Sequence, residues 1–223
     1  MGELTDRLMS QDHLPVCKFK HHLEVYDEIF LPYKNQKINF LEIGIDRGGS
    51  LQIWSEYFTH PKTKIYGVDI SPECEKLEKL IPKTKIFIGN AGHASFLKKV
   101  CDEAGDVDII IDDGNHMMID QITAFDFLFT RLKNPGIYIC EDTHTSYRSS
   151  YGGGYMNSDS FVTHIKNVID FLHYPEFRDS ESKSDHKKYV DLFEIRQYPG
   201  LTVIFKSPKA VQCGSAILTG SLK

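Results

Sequence analysis

Short apolar runs along the chain alternate with stretches in which apolar residues recur every three or four positions. The runs lie at residues 38–43, 64–68, 85–88, 108–111 and 136–140, and they predict strands. Helical spacing is present at 19–31, 50–58, 72–80, 94–104 and 118–132. In the last of these, Met118, Ile122, Phe125 and Phe129 form a stripe suited to packing on a sheet. This alternation predicts βαβ units and a parallel sheet.

The pattern changes after residue 141. A glycine-containing loop over 147–160 precedes a helix predicted at 161–171, and a charged loop follows at 178–188. The segment 189–206 predicts two strands joined by the turn Pro199-Gly200. The predicted fold class is therefore α/β, with a Rossmann-like sheet of five parallel strands, a C-terminal antiparallel hairpin and helices on both faces. Residues 1–18 show no clear period and predict an irregular arm.

The composition argues against several classes of protein. The chain has 223 residues, of which 41% are hydrophobic and 26% charged, as in an ordinary globular domain. The formal charge of −5 argues against a dedicated nucleic-acid binder. No apolar stretch approaches the roughly 20 residues of a membrane-spanning helix, and the first residues lack the pattern of a signal peptide. The five cysteines form no C-x-x-C pair, which predicts neither a zinc site nor a disulfide framework, and the expected location is the cytoplasm.

A glycine loop follows the first predicted strand in the sequence FLEIGIDRGGSLQIW. In an open α/β sheet such a loop is the usual place for a nucleotide-like ligand, because ligands bind at the carboxyl ends of the strands. Asp69 ends the second strand, where an acid typically accepts both hydroxyls of a ribose. Its alternative role is to cap the helix predicted from Pro72, a role open to Ser71 as well. A nicotinamide dehydrogenase would share both features, although this loop departs from the G-x-G-x-x-G pattern.

Carboxylates concentrate after the fourth and fifth predicted strands. The sequence IIIDDGNH places Asp112 and Asp113 after one strand, and YICEDTH places Glu141 and Asp142 after the next. If these strands are neighbours, the carboxylates repel one another unless a cation or a proton compensates. Oxygen ligands favour a hard ion, Mg²⁺ first, with Mn²⁺ and Ca²⁺ as alternatives. The other interpretation is that the two aspartates cap the following helix and the other two acids are solvated.

Two histidines accompany these acids. His116 lies three positions after Asp113 and is better explained as a general base than as a metal ligand, because an imidazole there reaches a substrate hydroxyl beside the ion. The usual pKa of histidine, about 6.5, suits proton abstraction near neutral pH. His144 is interpreted either as a loop residue or as a substrate contact, and its role is left unassigned.

Taken together, the segments FLEIGIDRGGSLQIW, IYGVDI, DIIIDDGNH and LKNPGIYICEDTHTSY and the YGGG loop resemble class I S-adenosylmethionine-dependent O-methyltransferases. The most similar group is the metal-dependent sugar O-methyltransferases of macrolide biosynthesis, the macrocin and mycinamicin type. The resemblance covers residues 38–205. It implies an enzyme that uses S-adenosylmethionine and Mg²⁺, or Mn²⁺, to methylate a hydroxyl of a vicinal sugar diol on a natural product or glycan.

The resemblance also implies roles for individual residues. The implied cofactor-binding residues are Glu42, Gly44, Ser50, Asp69, Asn90 and Asp112. The implied metal ligands are Asp113, Glu141 and Asp142, and the implied catalytic residues are His116 as the base and Asp113. Relatives commonly carry an acid after the third strand, where adenine binds, whereas this chain has the sequence GNAGH and leaves Asn90 for that contact.

The same resemblance predicts how the chain is organised. Residues 1–35 are expected to form an arm and a helix that border the acceptor site, 36–207 the methyltransferase domain, and 208–223 a C-terminal tail. An arm of this kind often exchanges between subunits, so a homo-oligomer is an open expectation. The loop 147–160 would form the rest of the acceptor site, and neither segment encodes a readable specificity.

Three other functions stay open at this point. A catechol or caffeoyl-type O-methyltransferase uses similar metal chemistry on an aromatic diol, and tyrosines 147, 151 and 155 suit stacking on such a ring. A hydroxylase of related fold is a second alternative. The third is a binding module that keeps the cofactor but has lost turnover, which the four residues Asp113, His116, Glu141 and Asp142 argue against.

Overall fold

The computed structural model describes residues 2–10, 12–176 and 188–208. Within these ranges the strands are β1 (Asn39–Ile43), β2 (Lys64–Asp69), β3 (Thr84–Ile88), β4 (Val107–Asp112), β5 (Leu132–Glu141), β6 (Leu192–Tyr198) and β7 (Leu201–Lys206). The α-helices are α1 (Glu3–Met9), α2 (Lys20–Phe30), α3 (Gly49–Tyr57), α4 (Ala94–Ala104), α5 (Met118–Arg131) and α6 (Phe161–Ile169). Short 3₁₀ helices span Leu31–Tyr33, Pro72–Lys79, Thr143–Tyr147, Ser149–Tyr151 and Asp170–Glu176.

These strands form one sheet in the order β3-β2-β1-β4-β5-β7-β6. The first five in that order are parallel, while β7 runs antiparallel to both β5 and β6. The predicted fold class, five parallel strands and a C-terminal hairpin, is thereby confirmed. Ile43 lies opposite Val68 on one side and Asp112 on the other, and Asp112 lies opposite Cys140. The carboxyl ends of four strands are therefore level, and the loops after them meet at one edge.

A hydrophobic layer covers each face of the sheet. In β4, Ile109 and Ile111 belong to the layer that includes α2 and α3, while Ile110 belongs to the layer of α4, α5 and α6. This strand is buried on both faces, as its unbroken apolar sequence predicts. On α5, Met118, Phe125 and Phe129 are buried against the second layer, which confirms the predicted stripe.

Four elements differ from the sequence prediction. The arm predicted to be irregular contains α1, because Asp27 of α2 accepts hydrogen bonds from the backbone of Leu4 and the hydroxyl of Thr5, both at 2.8 Å. The helix predicted at 72–80 is a 3₁₀ helix with a proline in its first turn. Helix α6 ends at Ile169 and continues as a 3₁₀ helix, and β5 begins four residues earlier than predicted.

Some predictions fall outside the described residues. These are most of the charged loop 178–188 and nearly all of the C-terminal tail, with Cys213. The other four cysteines are free thiols. Among the helices of the described ranges, we find none with the length and apolar character that crossing a bilayer requires.

Candidate active site

A cavity of about 700 Å³ opens at the carboxyl edge of the sheet. Its volume lies within the range of small-molecule and cofactor sites. Its wall includes the glycine loop after β1, the end of β2, the segment 89–92 after β3 and the start of the loop after β4. Of the six predicted cofactor residues, Gly44, Asp69, Asn90 and Asp112 line it.

Asp69 holds the glycine loop in place. Its Oδ2 accepts hydrogen bonds from the backbone N–H groups of Ile45 and Asp46, each at 3.1 Å, and its Oδ1 accepts one from Ser71 at 2.9 Å. Gly44 has a φ of +81°, a left-handed conformation that favours glycine. Asp69 therefore lines the cavity and shapes its glycine-loop wall, and Ser71 begins the 3₁₀ helix.

The deeper wall of the cavity is acidic. Asp112 is 3% exposed and accepts a hydrogen bond from the Tyr138 hydroxyl at 3.1 Å, and burial raises the pKa of Asp112 to about 6. Asp120 of α5 also lines the cavity beside Asn90. A Cβ on Gly92 would lie 2.1 Å from Oδ1 of Asp120, so this acid sits directly against the turn after β3. The sequence GNAGH itself contains no acid, and the acid beside this turn belongs to α5.

Glu42 and Ser50 are not among the described residues that line the cavity. Oε2 of Glu42 accepts hydrogen bonds from Ser50 Oγ at 2.9 Å and from Trp54 Nε1 at 3.2 Å. Glu42 is fully buried, and burial raises its pKa. Their assignment to cofactor binding stays a prediction, and the structure gives them a contact with one another that fixes the start of α3 to β1.

A buried lysine joins the acids of three neighbouring strand ends. Nζ of Lys18 lies 2.6 Å from Oδ2 of Asp113, 2.5 Å from Oε1 of Glu141 and 3.4 Å from Oε1 of Glu42. Its side chain is 2% exposed. Burial alone would lower the pKa of Lys18, but the three carboxylates outweigh that effect and raise it well above the usual value. Lys18 is therefore a cation in contact with two of the three predicted metal ligands, Asp113 and Glu141.

Glu141 is the most completely engaged of these acids. Besides the lysine, the hydroxyl of Tyr26 donates a hydrogen bond to its Oε1 at 2.7 Å, and Nδ1 of His22 lies 3.6 Å from its Oε2. Burial would raise its pKa, but Lys18 and these polar neighbours hold the pKa at about 2. The interpretation of Glu141 as a solvated loop acid is therefore wrong, since the residue is 2% exposed.

Asp113, His116 and Asp142 form a second, more open group. One ligand atom from each lies within 4.8 Å of the other two. Nε2 of His116 is 3.3 Å from Oδ2 of Asp142, and Nδ1 of the same ring is buried without a hydrogen-bond partner. His116 and Asp142 have φ values of +59° and +54°. Such conformations are uncommon outside glycine and concentrate at functional sites.

This open group suits a divalent ion and a base. Its carboxylate oxygens are ligands that Mg²⁺ and Mn²⁺ prefer, and the imidazole beside them can act as the base. Burial lowers the pKa of His116 despite the nearby charge of Asp142, so the ring is neutral at pH 7 and able to accept a proton. His144 lies at the rim, with Nδ1 3.9 Å from Oδ1 of Asp142.

Sequence reasoning missed three of the residues that surround these acids. Lys18 lies in a segment without hydrophobic period, and His22 and Tyr26 belong to the face of α2 that the spacing predicts to be buried. The sequence contains one indication of a site at His22 and Tyr26. Each places a polar atom on the buried face of the helix, and a buried imidazole or hydroxyl needs a hydrogen-bond partner. That signal does not say which partner it meets.

Known proteins resemble the chain in sequence. No family model matches it. The 8-demethyl-8-(2-methoxy-alpha-L-rhamnosyl)-tetracenomycin-C 3'-O-methyltransferase of Streptomyces olivaceus is 34% identical over 192 residues, which cover 82% of this chain and 48% of that relative. The mycinamicin VI 2''-O-methyltransferase of Micromonospora griseorubida is 32% identical over 176 residues, or 74% of this chain and 42% of the relative. The chain spans about half the length of the curated relatives it matches.

A solved structure resembles it in fold. The MycE methyltransferase of the mycinamycin biosynthetic pathway, in complex with Mg and SAH, gives a TM-score of 0.80 at 27% identity. The match covers 92% of this chain and 54% of MycE. A further MycE structure that also contains mycinamycin VI gives a TM-score of 0.78.

Proposed function

Because the chain has the class I methyltransferase fold and is homologous to the sugar O-methyltransferases of the tetracenomycin and mycinamicin pathways, we propose that it is an S-adenosylmethionine-dependent, Mg²⁺-assisted sugar O-methyltransferase. The observation that carries the proposal is the group Asp113, His116 and Asp142 beside the cavity, since Asp113 belongs to both. The substrate is a hydroxyl of a vicinal diol on a glycosylated natural product, which the sugar O-methyltransferase activities of the relatives favour over a catechol.

The cavity residues would bind and orient the cofactor. Asp69 ends β2 and lines the cavity, where its carboxylate would accept the ribose hydroxyls. Asn90 and Asp120 belong to the part of the cavity wall against which the adenine ring would lie. Asp112, at the end of β4, would lie near the sulfonium, whose positive charge favours the ionised form of this acid. Holding donor and acceptor in line lowers the barrier by removing orientational freedom.

The open group of Asp113, His116 and Asp142 would bind the metal ion and act on the acceptor hydroxyl. Asp113 and Asp142 would supply oxygen ligands for Mg²⁺. Glu141 lies at the same edge of the sheet, and its carboxylate is paired with Lys18. When bound there, Mg²⁺ would increase the acidity of a chelated sugar hydroxyl. His116 would take the hydroxyl proton on Nε2, the ring nitrogen that faces Asp142, as the bond between the acceptor oxygen and the methyl carbon forms. The bond between that carbon and the sulfonium sulfur breaks in the same step, and S-adenosylhomocysteine is the leaving group. Asp142 then stabilises the imidazolium by its charge.

The first test is binding of S-adenosylhomocysteine to the purified chain by calorimetry. We expect one site per chain, and about 10- to 100-fold weaker binding after Asp69→Ala, since a hydrogen bond to a charged group contributes about 1.5–3 kcal/mol. Asp102→Ala changes an exposed acid of α4 and is expected to bind normally. Absence of binding by a folded wild-type sample, or full affinity in Asp69→Ala, would contradict the proposed cofactor site.

Metal dependence is tested by Asp142→Asn, which keeps a residue type that tolerates the left-handed conformation. We expect it to weaken Mn²⁺ binding and to abolish methyl transfer to a rhamnoside, as EDTA should for the wild type, because one oxygen ligand loses its charge. The affinity for S-adenosylhomocysteine is expected to stay unchanged. A panel with rhamnosides and catechol identifies the acceptor class, and turnover on catechol alone would favour the aromatic alternative.

A further inference from the structure

Lys18 occupies a position that the proposed metal chemistry does not explain. Its ammonium contacts Asp113 and Glu141 at 2.6 and 2.5 Å, and both belong to the predicted metal ligands. Bringing a lysine to 2% exposure is costly unless carboxylates compensate its charge. Here Asp113, Glu141 and Glu42 supply that compensation, so the ammonium contacts two of the acids that a divalent ion would need.

A second observation points to a cation at the same place. Oε1 of Glu42 is fully buried and has no hydrogen-bond partner, and it lies 3.4 Å from Nζ of Lys18. Oε2 of the same carboxylate is held by Ser50 and Trp54, which fixes the direction of the free oxygen. A buried carboxylate oxygen without a hydrogen bond is stabilised when a positive charge lies beside it.

We propose that Lys18 is an internal cation that holds the acidic cluster together in the metal-free protein and competes with the divalent ion for Asp113 and Glu141. This inference rests on the proposed metal site. The ammonium and a divalent ion near Asp113 would repel each other, and the repulsion is strong where little water screens it. Lys18 must therefore turn away for the ion to gain Glu141, and the residue sets how tightly this chain binds metal.

Lys18 belongs to a segment that lies at the protein surface. Cys17 and Phe19 on either side of it are exposed, whereas the side chain of Lys18 is buried in the acidic cluster. The preceding residues are held more firmly, since the backbone N–H of Leu14 donates to Gln52 of α3 at 2.9 Å. Leu14 and Pro15 also line the large cavity. The same short segment thus borders both the cavity and the acidic cluster.

Mn²⁺ binding to the full chain, followed by electron paramagnetic resonance, tests the proposal without turnover. We expect Lys18→Met to bind Mn²⁺ at least about tenfold more tightly than the wild type, because a repelling charge is removed. Its metal-free melting temperature should fall, since three carboxylates lose their cation, and Mn²⁺ should raise that temperature more than in the wild type. Lys20→Met, which removes an exposed charge at the start of α2, should change neither quantity.

Further variants separate the possible results. In the double variant Lys18→Met, Asp142→Asn the gain in Mn²⁺ affinity should disappear, which locates the tighter binding at this site. If Lys18→Met does not fold, Lys18→Gln provides the same measurement with a polar side chain. Equal or weaker Mn²⁺ binding in the folded Lys18 variants, with S-adenosylhomocysteine bound normally, overturns the competition. If no protein binds Mn²⁺, the metal site of the proposed function fails together with it.

Discussion

His116→Asn is expected to lower kcat for methyl transfer by about two to four orders of magnitude, the usual contribution of a general base. Asparagine accepts the left-handed backbone of this position, where φ is +59°, so the loop after β4 should keep its shape. Its amide has no basic nitrogen, and the acceptor proton then has no base at the cluster. The affinities for S-adenosylhomocysteine and for Mn²⁺ should change little, because Asp69, Asp113 and Asp142 are intact.

A matched control for this experiment lies elsewhere in the chain. His164 of α6 also pairs with a carboxylate, with Nε2 2.8 Å from Oδ1 of Asp126. His164→Asn removes a similar pair outside the acidic cluster, so it should reduce stability without changing kcat. If both histidine variants lower kcat equally, the effect is structural. If His116→Asn keeps normal turnover, His116 is not the base.

The positions at which the chemistry concentrates could be predicted from the sequence because the topology is simple. Apolar strands alternate with helices, and parallel strands place all their carboxyl ends at one edge. Asp69, Asp112 and Asp113 each come at the end of such a strand, so they converge once the order of the strands in the sheet is known, and the structure supplies that order. The alignment of Ile43, Asp112 and Cys140 in register is the physical reason that the loops meet.

The remaining contacts depend on distant pairs of residues that no local pattern encodes. Lys18 and Glu141 are 123 positions apart, and their contact requires the segment before α2 to cross the end of β5. Asp120 reaches the turn at Gly92 only because α5 packs beside the loop after β3. Likewise α1 is too short to form on its own and depends on Asp27. These are tertiary interactions, and residue spacing within one element carries no information about them.

Gly44→Ala is expected to distort both the cavity and the acidic cluster. A Cβ built at Gly44 lies 2.0 Å from the carbonyl oxygen of Asp113, and this oxygen belongs to backbone rather than to a flexible side chain. The left-handed φ costs about 1–2 kcal/mol and the overlap about 1–3 kcal/mol more, so we expect a loss of about 2–5 kcal/mol in the free energy of unfolding. That is a large share of the roughly 5–15 kcal/mol of a typical domain.

Gly44→Ala is also expected to weaken ligand binding in the molecules that remain folded. Relieving the overlap pushes β1 and β4 apart where the N–H of Asp113 donates to the carbonyl of Ile43 at 2.9 Å. Asp113 then moves relative to both the cavity and Asp142, so S-adenosylhomocysteine and Mn²⁺ should both bind more weakly in the fraction that stays folded. Gly152→Ala is the matched control, because its φ is +79° and a Cβ there meets nothing closer than 3.9 Å. It should lose stability through backbone strain alone and keep both affinities. Denaturant unfolding with calorimetry on the two variants separates the cases, and equal stability losses with normal binding in Gly44→Ala would contradict the clash.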